Sequence, residues 1–298
     1  MPLISLSVDF YVRLFVRVFT GQKKCKETTS KLGHVYQCSG CEILTVQPMG
    51  RLVKDDKGNV KYVLPKGPPV DQKCKYCAHS HIIGGPMWID PIHDTEFVSR
   101  VRQNLEEHKH LGTTNRIDGM LSMVEEELPD VPFYYLQDRL CTLAKVAMPK
   151  MTTFNSAILN AGYRVSNSHA CRNSIKTDAP ADFLWDMIRA YEKTNPSNQK
   201  NWTDVSRAIL GRESSFSPSP VAIDFTVHEK AEPLSRKNGV LRFQHNPPNW
   251  GPKSKARVFG DVDKVAVDKR ARNQGKHSQK RQKKEENGAN KRGKVDEN

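Results

Sequence analysis

The sequence predicts an α+β chain built from a zinc-ribbon-like module, a winged-helix-like α/β domain and a disordered basic tail. Three observations carry that reading. Two Cys-x2-Cys pairs, Cys38-Ser-Gly-Cys41 and Cys74-Lys-Tyr-Cys77, are separated by 32 residues. Helical apolar spacings then run from about residue 95 to 160 and give way to two short β-like runs. Finally, residues 251–298 hold 15 Lys/Arg against 7 Asp/Glu, which is +8 of a net charge of +14.

From Phe10 to Val18, the residues Phe10, Val12, Leu14, Val16 and Val18 alternate with Tyr11, Arg13, Phe15 and Arg17. Strict alternation predicts one long strand with a fully buried face. Such a strand needs a sheet beside it, and an unpartnered apolar edge is an aggregation hazard. The chain therefore reads as beginning inside a domain. Residues 3–19 imitate a secretion signal, but Asp9, Arg13 and Arg17 interrupt them and no small-residue cleavage site follows. No run of 18 apolar residues occurs, so no membrane partner is expected and the chain reads as soluble and intracellular.

In the cysteine stretch, each Cys-x2-Cys turn points two thiolates at one centre, and two turns close a tetrahedral site. Four soft thiolates with no open position suit a structural Zn²⁺ on Cys38, Cys41, Cys74 and Cys77. The alternatives are two disulfides or four buried thiols, and His34, His79 or His81 stands near enough to replace one cysteine. The stretch is too poor in apolar residues to form a core unaided, so a metal staple is expected.

Asp94 is positioned to cap a helix carrying Phe97, Val98, Val101 and Leu105 on one face. A second helix is expected from about Thr114, with Ile117, Met120, Leu121, Val124 and Leu128 at helical spacing, and a third over roughly Tyr135–Val146. A fourth begins with Thr152 or Thr153 as N-cap and ends at Gly162. Two β-like runs, 163–168 and 174–177, follow and flank His169. Helix, tight turn, helix, hairpin is the order of a winged helix-turn-helix. Its face would present Arg164, His169, Arg172, Asn173 and Lys176 to nucleic acid, or else simply carry solvated charge around a protein-interaction module.

Asp178 and Pro180 open a further helix whose stripe is Ala181, Leu184, Trp185, Ile188 and Tyr191, with Trp185 read as core. Residues 194–220 read as linker, and Val221, Ile223, Phe225 and Val227 alternate as one more strand. Arg242, Phe243 and Trp250 mix cations with stacking faces, as single-stranded RNA binders do, although packing onto the preceding domain explains them equally well. The basic tail contains Lys269-Arg270 and Lys280-Arg-Gln-Lys-Lys284, close to a bipartite nuclear-import pattern; RNA affinity yields the same composition. No Gly-x-Gly-x-x-Gly, P-loop or Gly-x-Ser-x-Gly occurs, and neither cysteine pair follows a proline as zinc deaminases require.

Several of these segments together resemble a known family. They are Asp9-Phe-Tyr-Val-Arg-Leu-Phe-Val-Arg17, the two cysteine pairs, Gly84-Gly-Pro-Met-Trp88 with Ile92-His-Asp94, and Glu127-Leu-Pro-Asp130. Ser168-His-Ala170, Ile175-Lys-Thr-Asp-Ala-Pro180 and Arg242-Phe243 with Asn249-Trp-Gly-Pro252 complete the set. In unbroken order over residues 3 to about 252, they look like the carboxy-terminal part of the eukaryotic tRNA (guanine-26) N2-dimethyltransferases. The resemblance implies methyl transfer from S-adenosylmethionine to a guanine amine of tRNA by an amino-terminal Rossmann-like domain, joined to a family-specific carboxy-terminal domain. It makes residues 1–20 a remnant strand, the terminal strand of a truncated Rossmann-like methyltransferase sheet. Residues 21–94 become a zinc module, 95–193 a winged-helix-like tRNA-binding domain, 194–252 a linker, strand and Arg/Phe/Trp segment, and 253–298 a disordered tail.

The S-adenosylmethionine loop and the Asp-Pro-aromatic-Gly motif of that family are missing from this sequence, and Asp90-Pro91 is not that motif. No catalytic or cofactor-binding residue carries over. The expectation is a fragment, truncated gene model or short isoform that docks tRNA without methylating it or holding a small-molecule substrate. A non-catalytic RNA-binding protein derived from the family is the alternative. The nucleus is the expected location, with mitochondrion or cytoplasm as further possibilities, and the RNA contacts expected are Arg164, His169, Arg172, Lys176, Arg242 and Trp250.

Overall fold

The computed structural model describes residues 1–212 and 223–243. Trp250, Asn249 to Pro252, Val221 and the basic tail, all singled out above, lie outside the described residues. Among the described residues, four small sheets and a set of short helices make a mixed α/β body.

The chain opens with an antiparallel hairpin, β1 (Pro2–Val8) and β2 (Tyr11–Val16), in register from Ser5 opposite Leu14 to Val8 opposite Tyr11. The expected single strand from Phe10 to Val18 is corrected on two points. Its start is the second arm of a hairpin whose turn is made at Asp9, with φ at +50°, a conformation aspartate tolerates. Neither face of β2 is buried: Val12, Leu14, Phe15 and Val16 are all exposed. Leu3 and Ile4 of β1 instead enter a small apolar cluster with Val98, Leu121 and Val124.

A polar helix, α1 (Gln22–Lys31), follows where no helix was expected, because it carries no apolar stripe for periodicity to reveal. It leads directly into β3 (Leu32–Cys38), which pairs antiparallel with both β4 (Leu44–Pro48) and β7 (His81–Trp88). A second hairpin, β5 (Arg51–Lys54) with β6 (Val60–Val63), occupies the enlarged loop between the cysteine pairs.

Asp94 caps α2 (Thr95–Asn104) as expected, its Oδ1 accepting from Phe97 N at 3.0 Å. α3 (Thr114–Glu126) presents Leu121 and Val124 to the cluster that β1 joins. The third expected helix is shorter than its apolar spacing suggested: Tyr135 and Leu136 form β8 (Tyr135–Leu136), and α4 (Gln137–Ala144) begins after it. α5 (Met151–Asn160) has Lys150, not a threonine, at its N-cap and closes at Gly162, whose φ of +85° glycine adopts without strain. β9 (Val165–Ser166) and β10 (Ser174–Thr177) then pair antiparallel, and β8 adds to the far edge of β10, giving the order β8-β10-β9.

α6 (Ala181–Thr194) has Pro180 at its N-cap; the expected cap, Asp178, is instead engaged by Arg164. Trp185 is fully buried, as core. Part of the expected linker is α7 (Asp204–Leu210), capped by Thr203 and anchored by the fully buried Ile209. The expected strand at 223–227 is not one. Ile223 and Phe225 pack on the core from an irregular segment held by Asn160, whose Nδ2 donates to the carbonyls of Asp224 and Thr226. A short helix, α8 (Leu234–Lys237), precedes the last described residues. One apolar core runs from Cys38, Cys41, Cys74 and Cys77 through α4, α5 and α6 to Ile209.

Candidate metal centre and buried histidine cluster

The cysteines come from two tight turns, one after β3 and one before β7. All four are buried, and their Sγ atoms lie within 4.8 Å of one another. Cys38 and Cys77 Sγ are 3.3 Å apart, Cys41 and Cys74 Sγ 3.6 Å, and none is in a disulfide. Sulfurs at about 2.3 Å from a tetrahedral Zn²⁺ stand about 3.8 Å from each other, so the set has the size of a four-cysteine zinc site. The turns also direct backbone N–H groups at sulfur: Gly40 and Cys41 N at Cys38 Sγ, and Tyr76 N at Cys74 Sγ. A hydrogen bond from Cys41 pulls the Cys74 thiol down to about 4 and pushes Cys41 up, while burial pushes Cys77 up to about 11. These four residues could hold zinc.

The three histidines considered as substitutes are otherwise engaged or placed. His79 Nδ1 bonds the Cys77 carbonyl at 2.9 Å, and its ring lies where a Cβ on Gly40 would stand. His34 and His81 sit in the ladders of β3 and β7.

A second cluster was not anticipated. His93, Glu127, His169 and Lys176 are each at most 6% exposed. Lys176 Nζ donates to Glu127 Oε1 at 3.1 Å, and His169 Nδ1 lies 2.8 Å from Oε2. His93 Nε2 stands 3.8 Å from that same oxygen and makes no hydrogen bond. Backbone amides fix the tautomers, because an N–H can only donate. Ser7 N donates to His169 Nε2 at 3.1 Å and Ser5 N to His93 Nδ1 at 3.3 Å. The protons of both rings therefore sit on the nitrogens that face Glu127.

That assignment argues against a metal on His93, Glu127 and His169, since no ring lone pair remains for it and the Lys176 ammonium already neutralises the carboxylate. Burial alone would raise Glu127, but the hydrogen bonds from His169 and Lys176, with the Lys176 charge, outweigh it and hold the carboxyl well below the usual carboxylate range. Burial pushes His93 down to about 4, with Glu127 opposing.

The cluster also corrects the expected nucleic-acid face. His169 and Lys176 do not lie on the surface; their partner Glu127, 42 and 49 residues away, takes them into the interior. Arg164 is half exposed and spans Asp130 and Asp178. Arg172 is exposed and donates to the carbonyl of Phe243, over whose ring it also lies. Arg242 flanks the same ring, reaches Asn167 Oδ1 at 3.4 Å, and is lowered from its ordinary value by burial. Arg172, Phe243 and Arg242 thus meet, while Arg164 is occupied by carboxylates. No residue of this chain is assigned to S-adenosylmethionine, for which the sequence offers no glycine-rich loop.

Comparison with known proteins gives concordant matches. The family model for N2,N2-dimethylguanosine tRNA methyltransferase matches residues 1–189. The tRNA (guanine(26)-N(2))-dimethyltransferase of Drosophila melanogaster is 45% identical, the match covering 92% of this chain and 48% of that protein. The Homo sapiens protein of the same description is 44% identical over 91% of this chain and 41% of its own length. The chain thus spans about half the length of the curated relatives it matches. A solved structure of Trm1 from Pyrococcus horikoshii with S-adenosyl-L-methionine aligns with 62% of this chain and 42% of its own at 23% identity and a TM-score of 0.48, a likeness too low to define the fold.

Proposed function

We infer the function from one premise: the chain belongs to the N2,N2-dimethylguanosine tRNA methyltransferase family. It acts as the tRNA-docking, carboxy-terminal portion of a guanine-26 N2-dimethyltransferase, and a separate or longer polypeptide supplies S-adenosylmethionine binding and methyl transfer. The observation that carries this is the family match over residues 1–189, which takes in the hairpin, the cysteine module and the β8-β10-β9 sheet. On this reading Cys38, Cys41, Cys74 and Cys77 bind a structural Zn²⁺ in a zinc-ribbon-like module, and residues 95–193 form a winged-helix-like tRNA-binding domain.

The exposed apolar β2 supports the same reading, because further strands of a methyltransferase sheet would cover it. Arg172 is the best placed of the expected RNA contacts, and the basic stretch beyond residue 251 adds sequence-independent attraction for phosphate and a signal for nuclear import. An amine-methylating site must also hold the flipped guanine and orient its nitrogen, and no motif for either is present here.

The test is equilibrium binding of fluorescent tRNA against duplex DNA at matched salt, with a parallel methylation assay. Salt-sensitive preference for tRNA, no methyl transfer by this chain, and a salt slope reduced by about 1 in Arg172→Ala are expected. Preference for DNA overturns the reading, and methyl transfer by this chain overturns the division of labour.

A further inference from the structure

The outer edge of β1 is satisfied by side chains where a neighbouring strand would normally sit. Successive N–H and C=O groups of a strand alternate between its two edges, so Leu3, Ser5 and Ser7 address the same side. Leu3 O accepts from Asp94 N at 2.8 Å, Ser5 N donates to His93 Nδ1, and Ser7 N donates to His169 Nε2. Two imidazoles and one loop amide replace a ladder.

We propose that His93 and His169 are positioning residues that seat the amino-terminal hairpin on the body, each ring accepting one β1 amide while Glu127 orients it from behind. Glu127 stands just past the end of α3, held on its other oxygen by Lys176 of β10, so it shares no backbone element with the hairpin. Its carboxylate keeps the His169 proton on Nδ1 and faces the proton of His93 Nε2. The opposite nitrogens are left as acceptors. The rings pack edge to face with centroids 5.2 Å apart, so neither turns without displacing the other. If the hairpin belongs to a methyltransferase sheet, as proposed above, this joint sets the angle between that sheet and the tRNA-docking body; the seating itself does not depend on that reading.

Hydrogen exchange on the full chain tests the joint, with no RNA or methyl donor involved, so its outcome is independent of the proposed function. Asn at 93 keeps an acceptor near Nδ1 and Gln at 169 keeps one near Nε2, whereas Leu removes both. In His93→Leu and His169→Leu, the amides of residues 3–8 and 11–16 should exchange about tenfold faster, the scale of losing one or two hydrogen bonds, with α5 and α6 unchanged. His93→Asn and His169→Gln should retain wild-type protection. Imidazole ¹⁵N shifts should report the proton on Nε2 of His93 and on Nδ1 of His169.

Should the leucine variants not fold, Ser7→Pro deletes the donor to His169 Nε2 while leaving every side chain of the cluster unchanged, and it should accelerate exchange in the hairpin, with α5 and α6 unmoved. Equal protection in the Leu and Asn/Gln variants, unchanged hairpin exchange in Ser7→Pro, or the opposite tautomers would each overturn the joint.

Discussion

Removing the carboxylate at position 127 leaves the Lys176 ammonium at 3% exposure with its ion-pair partner gone, and both imidazole protons facing nothing. Breaking a buried pair from one side costs about 3–5 kcal/mol, whereas replacing both partners with apolar groups can be nearly neutral. Glu127→Gln should therefore destabilise strongly in chemical denaturation, and Glu127→Leu combined with Lys176→Met should recover part of the loss, the His169 Nδ1 proton staying without an acceptor.

The same cluster makes stability depend on acid. His93 titrates at about 4 in the folded chain, below the ordinary value of 6.5 expected when unfolded. Its neutral form is favoured by folding, so its contribution is complete above pH 6.5 and is lost as pH falls towards 4. The loss is about 3 kcal/mol, at 1.36 kcal/mol per pKa unit. His93→Asn, which does not titrate, should flatten the denaturation midpoint across that window relative to the parent; parallel curves would mean that His93 is not buried neutral. None of this was legible from sequence. The hairpin pattern pointed to basic residues near His169, but only the fold brings in a carboxylate more than 40 positions away, which turns an expected surface cation into a buried one.

At the scale of elements, patterns held where one amphipathic face meets the core and failed where local chemistry or packing overrode them. α2, α3 and α6 were legible because Val98, Leu121, Val124, Leu184, Trp185 and Ile188 repeat at helical spacing and are in fact buried. Only the second arm of the amino-terminal hairpin was read as a strand; its first arm went unseen because Asp9-Phe10 is not among the Asn-Gly or Asp-Gly turns that announce a two-residue loop. α7 was missed in a polar stretch with a single well-buried apolar anchor, Ile209. Alternation correctly marked β2 as strand, yet it could not say whether the apolar side was covered. Val12, Leu14 and Val16 are 69%, 60% and 56% exposed, a surface prone to association. Val12→Thr with Val16→Thr should lower concentration-dependent light scattering while leaving the thermal midpoint within a few degrees. A large fall in that midpoint would mean that β2 contributes to the core of this chain.

Across the whole molecule, the four-cysteine cluster is continuous with the main core. Cys38, Cys41, Cys74 and Cys77, with Ile43 and Tyr76, belong to the same apolar cluster as Leu140, Phe154, Leu184 and Trp185. Leu44 N donates to the Tyr135 hydroxyl, Arg139 pairs with Glu42, and Lys75 with Asp182, so β8, α4 and α6 each grip the module. The spacing of the cysteines was readable in the sequence; this continuity was not, because it depends on which surface the module turns towards the helices. A metal bound there should stabilise more than its own loops. Structural zinc supplies on the order of 10 kcal/mol to small domains, and here part of that would pass through shared packing to α4, α5 and α6. Calorimetry of the zinc-loaded chain should show one transition for the described body, and chelation should shift that whole transition downward while exposing Trp185. A small separate transition that vanishes on chelation, with the main one unmoved, would show that the module is an appended unit and that its packing on the helices is energetically weak.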